Sequence, residues 1–80
     1  NRKEYTGINL GKLQELVDAG RIADKVDVET LVQLHIVKRN DLVKILGGGE
    51  LKAKLKISVH KFTAGAKAAI EAVGGEAVTL

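Results

Sequence analysis

Between residues 51 and 60, every second side chain is apolar. Leu51, Ala53, Leu55, Ile57 and Val59 alternate with Lys52, Lys54, Lys56, Ser58 and His60. A helix would scatter this set around its circumference, whereas an extended chain places the apolar residues on one face and the three lysines on the other. The pattern predicts a ten-residue strand, greasy on one side and cationic on the other. Such a strand is stable only when other elements cover its apolar face. With 80 residues there is room for one domain, and a chain of that size buries only about 60–65% of its unfolded surface.

The covering elements are legible on either side. Leu10, Leu13, Leu16 and Val17 share a helical face, with Asn9 as the cap, Asp18 as the last residue and Gly20 as the stop. Asp27 is placed to cap a second helix with Glu29 in its first turn, whose apolar positions are Leu31, Leu34 and Val37; His35 falls within it. Lys38-Arg39-Asn40-Asp41 is a polar turn, and Leu42 to Leu46 reads as a short strand ended by Gly47-Gly48-Gly49. Thr63 caps an alanine-rich third helix, with Ala66, Ala69, Ile70 and Val73 facing inward and Gly74-Gly75 as the stop; residues 76–80 form a last short strand. Strands joined through helices predict a mixed α+β (α/β) single domain.

The formal net charge is only +3, but its distribution is uneven. Residues 51–70 carry five lysines and no acid: Lys52, Lys54, Lys56, Lys61 and Lys67. The remaining sixty residues carry eight basic and ten acidic side chains. A strand spaces alternate side chains by about 6.5–7 Å, so Lys52, Lys54 and Lys56 form a row of point charges suited to phosphate positioning rather than base reading. Two readings of that row stand side by side: a contact surface for a polyanion, or lysines that keep an exposed edge from pairing with other chains.

Other chemistries find little support. With no cysteine there is no disulfide, thiolate metal site or cysteine nucleophile. His35 and His60 have no ligand spacing around them, and Ser58, the one serine, has no base pattern beside it. The triple glycine lacks the Gly-Lys-Ser/Thr ending of a nucleoside-triphosphate loop and reads as a turn between strands, bare enough for an RNA backbone to approach. Tyr5 and Phe62 are the only aromatics, too few for a base-stacking platform. No apolar run nears the roughly 20 residues that cross a bilayer. The residues therefore imply no catalytic group, no metal and no cofactor.

The stretch Lys44-Ile45-Leu46-Gly47-Gly48-Gly49-Glu50-Leu51 resembles the signature opening of the large-ribosomal-subunit protein fifteen (L-fifteen) family. The likeness continues through Leu55, Ile57, Phe62-Thr63, Ala66, Ile70 and Gly74. Asn9-Leu10, the opening Arg2-Lys3-Glu4-Tyr5 and the run Ala68-Ala69-Ile70-Glu71-Ala72-Val73-Gly74-Gly75 are similar to bacterial members. The resemblance implies the mixed fold shared with L-eighteen relatives. It implies a structural, non-enzymatic constituent of the large subunit that binds 23S rRNA, supports assembly, and works in the cytoplasm on the ribosome.

Members carry an N-terminal extension rich in glycine, arginine and lysine. Residues 1–80 match the C-terminal globular part without it, and as an isolated domain this part is expected to be monomeric. The residues the resemblance assigns to rRNA are Lys44, Lys52, Lys54, Lys56, Lys61 and Lys67, with His60 ending the lysine face and Arg2 and Lys3 at the junction with the extension. The alternative is a module that contacts neighbouring ribosomal proteins through the lysine strand and has little RNA affinity of its own.

Overall fold

The computed structural model describes residues 4–80. The elements in chain order are β1 (Tyr5–Asn9), α1 (Leu10–Asp18), β2 (Lys25–Asp27), α2 (Val28–Gln33), β3 (Leu42–Leu46), β4 (Lys56–Val59), β5 (Lys61–Phe62), α3 (Ala64–Ala72) and β6 (Glu76–Thr79). They form a mixed α/β domain, as the sequence predicts.

The helix boundaries follow from single residues. The Asp27 carboxylate accepts from the Thr30 N–H (2.8 Å) and the Thr30 hydroxyl (2.9 Å), and the Thr63 hydroxyl accepts from the Ala66 N–H (3.1 Å). Each side chain satisfies a donor that the first helical turn leaves without a partner. Asn9 holds the cap position of α1 but makes no side-chain cap bond. All three helices end with the same pair of backbone bonds, in which the two residues after the cap donate back into the last turn: Gly20 to Val17 and Arg21 to Leu16, His35 to Val32 and Ile36 to Leu31, Gly74 to Glu71 and Gly75 to Ile70. His35 thus ends α2 instead of lying within it. It takes the left-handed conformation (φ +61°) that Gly20 and Gly74 take in the other two helices. The chain then turns back over the same core, so Leu34 and Val37 stay covered although the helix has stopped.

All pairing is parallel. The odd strands form one sheet in the order β1-β3-β5 and the even strands another in the order β2-β4-β6. Because each strand is followed by one in the other sheet, no hairpin is made among the described residues, and Gly47-Gly48-Gly49 carries the chain between sheets instead of turning it back. Ile8, Val43 and Ile45 from the first sheet meet Val26, Ile57 and Val59 from the second, and the helices add Leu10, Leu13, Leu16, Leu31, Ala66 and Ile70 to the same cluster. Among the described residues no polar or charged side chain is buried in it.

The alternating segment divides at Lys56. Burial follows the predicted period two: Leu51, Leu55, Ile57 and Val59 are buried, Ala53 is half-buried, and Lys52, Lys54 and Lys56 are exposed. Strand pairing does not extend over all ten residues. Only Lys56–Val59 form a strand, because the partners on both sides begin there: Lys25 and Glu76 both stand opposite Lys56, and just before it the Leu55 carbonyl accepts from the Glu76 N–H (2.9 Å). At His60 the chain leaves the second sheet, and Lys61–Phe62 join the first.

The Asp27 cap gives the fold a pH dependence. The Thr30 N–H is the main cause that holds this carboxyl below its ordinary value of 3.8; the Thr30 hydroxyl and the nearby Lys25 charge act in the same direction, against partial burial. A depressed folded value means that the contribution is complete above 3.8 and is lost as pH falls below it. Replacing Asp27 with Ala should cost about 1 kcal/mol at neutral pH, and urea titrations should show the difference from the parent shrinking at pH values under 3.8. A penalty that stays constant into that acidic range would contradict the assignment.

Candidate nucleic-acid interface

Lys52 and Lys54 lie on the stretch that precedes β4, which bends at Ala53. With no ladder to hold it, the stretch is fixed from below by Leu51 and Leu55, both buried, and from the side by Gln14 on α1. The Gln14 Oε1 accepts from the Lys52 N–H (2.8 Å) and the Ala53 N–H (3.1 Å), while its Nε2 donates to Asp18 Oδ1 (2.9 Å). One amide side chain thus satisfies two backbone donors and ties the lysine-bearing segment to a helix. Lys56, at the start of β4, stands in register with Lys25 on one side and Glu76 on the other.

These side chains border a cleft of about 290 Å³ lined by Asp24, Lys54, Leu55, Lys56, Gly74, Gly75 and Glu76. The acid-free window of the sequence is therefore not an acid-free surface, because the fold brings Asp24 and Glu76 from outside the window to its border. Among the described residues neither acid closes an ion pair with a lysine. Among the described residues the ion pair formed is Arg39–Glu29 at 3.2 Å, and both of its side chains are mostly exposed.

Lys44 and Lys61 lie apart from that row, in register with each other in the first sheet. Lys67 is exposed on α3. His60 is half-buried and committed to the fold: its Nδ1 accepts from the Val43 N–H (2.9 Å), and its own N–H donates to the Val43 carbonyl (3.2 Å). Arg2 and Lys3 lie outside the described residues. Lys25 carries no signal in the sequence, because the three-residue β2 that aligns it with Lys56 has too short an apolar pattern to be recognised.

The triple glycine sits where three chain segments leave the first sheet. Asn9 is in register with Leu46, and Ile45 with Phe62, so α1, the glycine loop and the chain into α3 emerge side by side at the carboxyl ends of parallel strands, where ligands of open α/β sheets bind. Gly11 donates to the Gly48 carbonyl (3.0 Å); a methyl group at Gly49 would come within 2.7 Å of the Gly11 Cα, and one at Gly47 within 3.4 Å of the Ala66 nitrogen. The glycines are there because two helix starts press on them. Neither helix has an acidic residue in its first turn, so the positive ends of both dipoles stay unneutralised beside an exposed backbone.

Residues 7–78 match the ribosomal protein family that groups 50S-L15 and 50S-L18e with their 60S counterpart. The chain belongs to that family. Among curated members, it is 71% identical to the large ribosomal subunit protein uL15 of Christiangramia forsetii, 62% to that of Flavobacterium johnsoniae and 44% to that of Bacteroides fragilis. Each alignment covers all of this chain and 53% of the relative, so the chain spans about half the length of the family members it matches. Among the described residues, no helix is long and apolar enough to cross a membrane, and no cluster of three or more histidine, aspartate or glutamate side chains has metal-site geometry.

The Gln14 bonds set a direct expectation. Replacing Gln14 with Ala leaves two backbone donors without their acceptor, which costs about 1 kcal/mol. Amide exchange at Lys52 and Ala53 should speed up while Ile57 stays protected. Unchanged exchange at those two amides would show that the segment is held by its buried leucines alone.

Proposed function

We propose that this chain is a structural constituent of the large ribosomal subunit, that it contacts 23S rRNA through its basic surface on the cytoplasmic ribosome, and that it supports subunit assembly. One observation carries the reading: Lys52, Lys54 and Lys56 all point outward, and none is ion-paired with a carboxylate among the described residues. A folded chain that leaves a row of ammonium groups unneutralised keeps them available to an external polyanion. Lys67 and the Lys44–Lys61 pair extend the positive surface, and the bare glycine loop between two helix starts lets a phosphate backbone come close. Family membership and the names of the relatives point the same way. In this reading the chain performs no covalent chemistry; the lysines fix position and the RNA supplies the scaffold.

A second reading has its own observation. Asp24 and Glu76 stand beside Lys54 and Lys56, and a cleft of mixed charge suits a protein neighbour with both signs on its surface better than it suits a phosphate backbone. In that case the segment contacts neighbouring ribosomal proteins and has little RNA affinity of its own.

Salt titration separates the two. Replacing Lys52, Lys54 and Lys56 together with Gln should weaken binding to a 23S rRNA fragment. The slope of log affinity against log salt should fall by about one for each phosphate that is no longer neutralised, up to about three. A triple variant with parental affinity and slope would remove the RNA reading and leave the protein-partner reading.

A further inference from the structure

The outer side of the first sheet carries a pair of like charges that the fold does nothing to relieve. Lys44 on β3 and Lys61 on β5 are in direct register, and the third residue of their row, on β1, is Gly7. Strands lie about 4.8 Å apart, and like charges directly opposite on neighbouring strands are destabilising. The second sheet holds the matching arrangement, Lys25 beside Lys56, but there Glu76 completes the row. In the first sheet a glycine stands in that place, and neither lysine has a carboxylate within ion-pair distance among the described residues.

Edge protection does not account for the pair. Lys61 is on an edge strand, where lysine discourages pairing with other chains. Lys44 is on the central strand, which has both neighbours already, and it is half-buried. Nor is Lys61 left to trail in solvent. Its Nζ lies 5.5 Å from the centre of the Tyr5 ring. Tyr5 belongs to β1, on the far side of β3, so the Lys61 side chain reaches across the strand that carries Lys44. The ring holds an ammonium group there without neutralising it. Two strands thus direct positive charge to one patch of the sheet, at a cost in stability and with an aromatic ring to steady one arm.

We propose that Lys44 and Lys61 act together as one anion site that takes a single phosphate of an RNA strand, with Tyr5 positioning Lys61. The proposal rests on the rRNA reading for its ligand, and it places an RNA-binding site on the first sheet, separate from the lysine row that leads into the second. A bound phosphate supplies the negative charge that the row lacks, beside the Leu46 side chain that covers Gly7, and removes the repulsion between the two ammonium groups. The residues in line with the pair on this face of the first sheet include Tyr5, Asn9 and the half-buried Leu42 and Leu46, none of which is a carboxylate.

The test is a set of Lys44→Gln, Lys61→Gln and double variants, with thermal melting and binding to a 23S rRNA fragment measured for each. Lys44→Gln should raise the melting temperature at low salt, and the rise should disappear near 1 M salt, where charges are screened within about 3 Å. The same variant should bind RNA more weakly, with a slope of log affinity against log salt smaller by at most about one, since Lys61 still faces the phosphate; a full unit would make the fall in its affinity between about 50 and 200 mM salt about three- to fourfold less than the parent's. The double variant should lose one unit of slope, not two, because both lysines serve one phosphate.

Three results overturn the proposal. A lower melting temperature for Lys44→Gln at low salt would make the lysine a structural support. A drop of two units in the double variant would make the lysines independent phosphate binders. An unchanged slope in all three, while the Lys52/Lys54/Lys56 variant still weakens binding, would end this site and leave the rRNA reading standing. If none of these variants, the triple included, affects RNA binding, the rRNA reading itself fails.

Discussion

The fold depends on a place where backbone meets backbone. β1 and β3 are adjacent and end in register, so the first turn of α1 and the loop after β3 must leave the sheet side by side. The Gly11 N–H to Gly48 carbonyl bond, and the approach of Gly49 to Gly11 that leaves no space for a Cβ, are how they do so. The start of α3 presses on Gly47 from the other strand end. From this crossing α1 descends over the core and carries Gln14 to the segment that bears Lys52 and Lys54. The helix that could not approach the loop without glycine is the same helix that fixes the lysines.

That arrangement explains why the basic surface exists in a domain that gains nothing in stability from it. The core is entirely apolar among the described residues, and the lysines contribute no ion pair to it. A segment with Leu51 and Leu55 buried on one side turns the alternate residues between them outward, and those are Lys52 and Lys54. On both sheets a lysine pair sits in register across neighbouring strands, but only one pair has an acid in its row. The contrast between Glu76 and Gly7 separates a lysine pair with an acid in its row from one with none, and neither pair is closed by an ion pair among the described residues.

Local chemistry was legible in the sequence, and partnership was not. Asp27 and Thr63 announced their helices because a cap needs only its own next three residues. Gly20 and Gly74 marked helix ends for a similarly local reason. The alternation of Leu51 to His60 indicated the inward and outward faces correctly, since that depends on extension alone. It overstated the strand, since a ladder also needs partners, and both β2 and β6 begin opposite Lys56. β1, β2 and β5 left almost no trace: within them only Ile8 and Val26 are buried, too few to set a period. His35 looked helical because Leu34 and Val37 continue the apolar spacing, yet the helix ends there in a left-handed turn where glycine is the usual choice. The triple glycine was visible as a break. Its purpose, the close passage of two helix starts, is set by strands distant in the chain that align Asn9 with Leu46. For the same reason the sequence placed Lys52, Lys54 and Lys56 in one row on one strand, while in the fold only Lys56 joins a sheet and Asp24 and Glu76 come alongside.

Native-state hydrogen exchange at the Gly11 amide tests the central claim most directly. If the crossing of α1 over the glycine loop holds the fold together, this amide opens only when the whole domain unfolds, and its opening free energy matches that of the Ile45 and Ile57 amides in the two sheets. Exchange at Gly11 through a local opening well below the global value, with both sheets still protected, would show that the crossing frays freely and that the fold and its lysine surface stand without it.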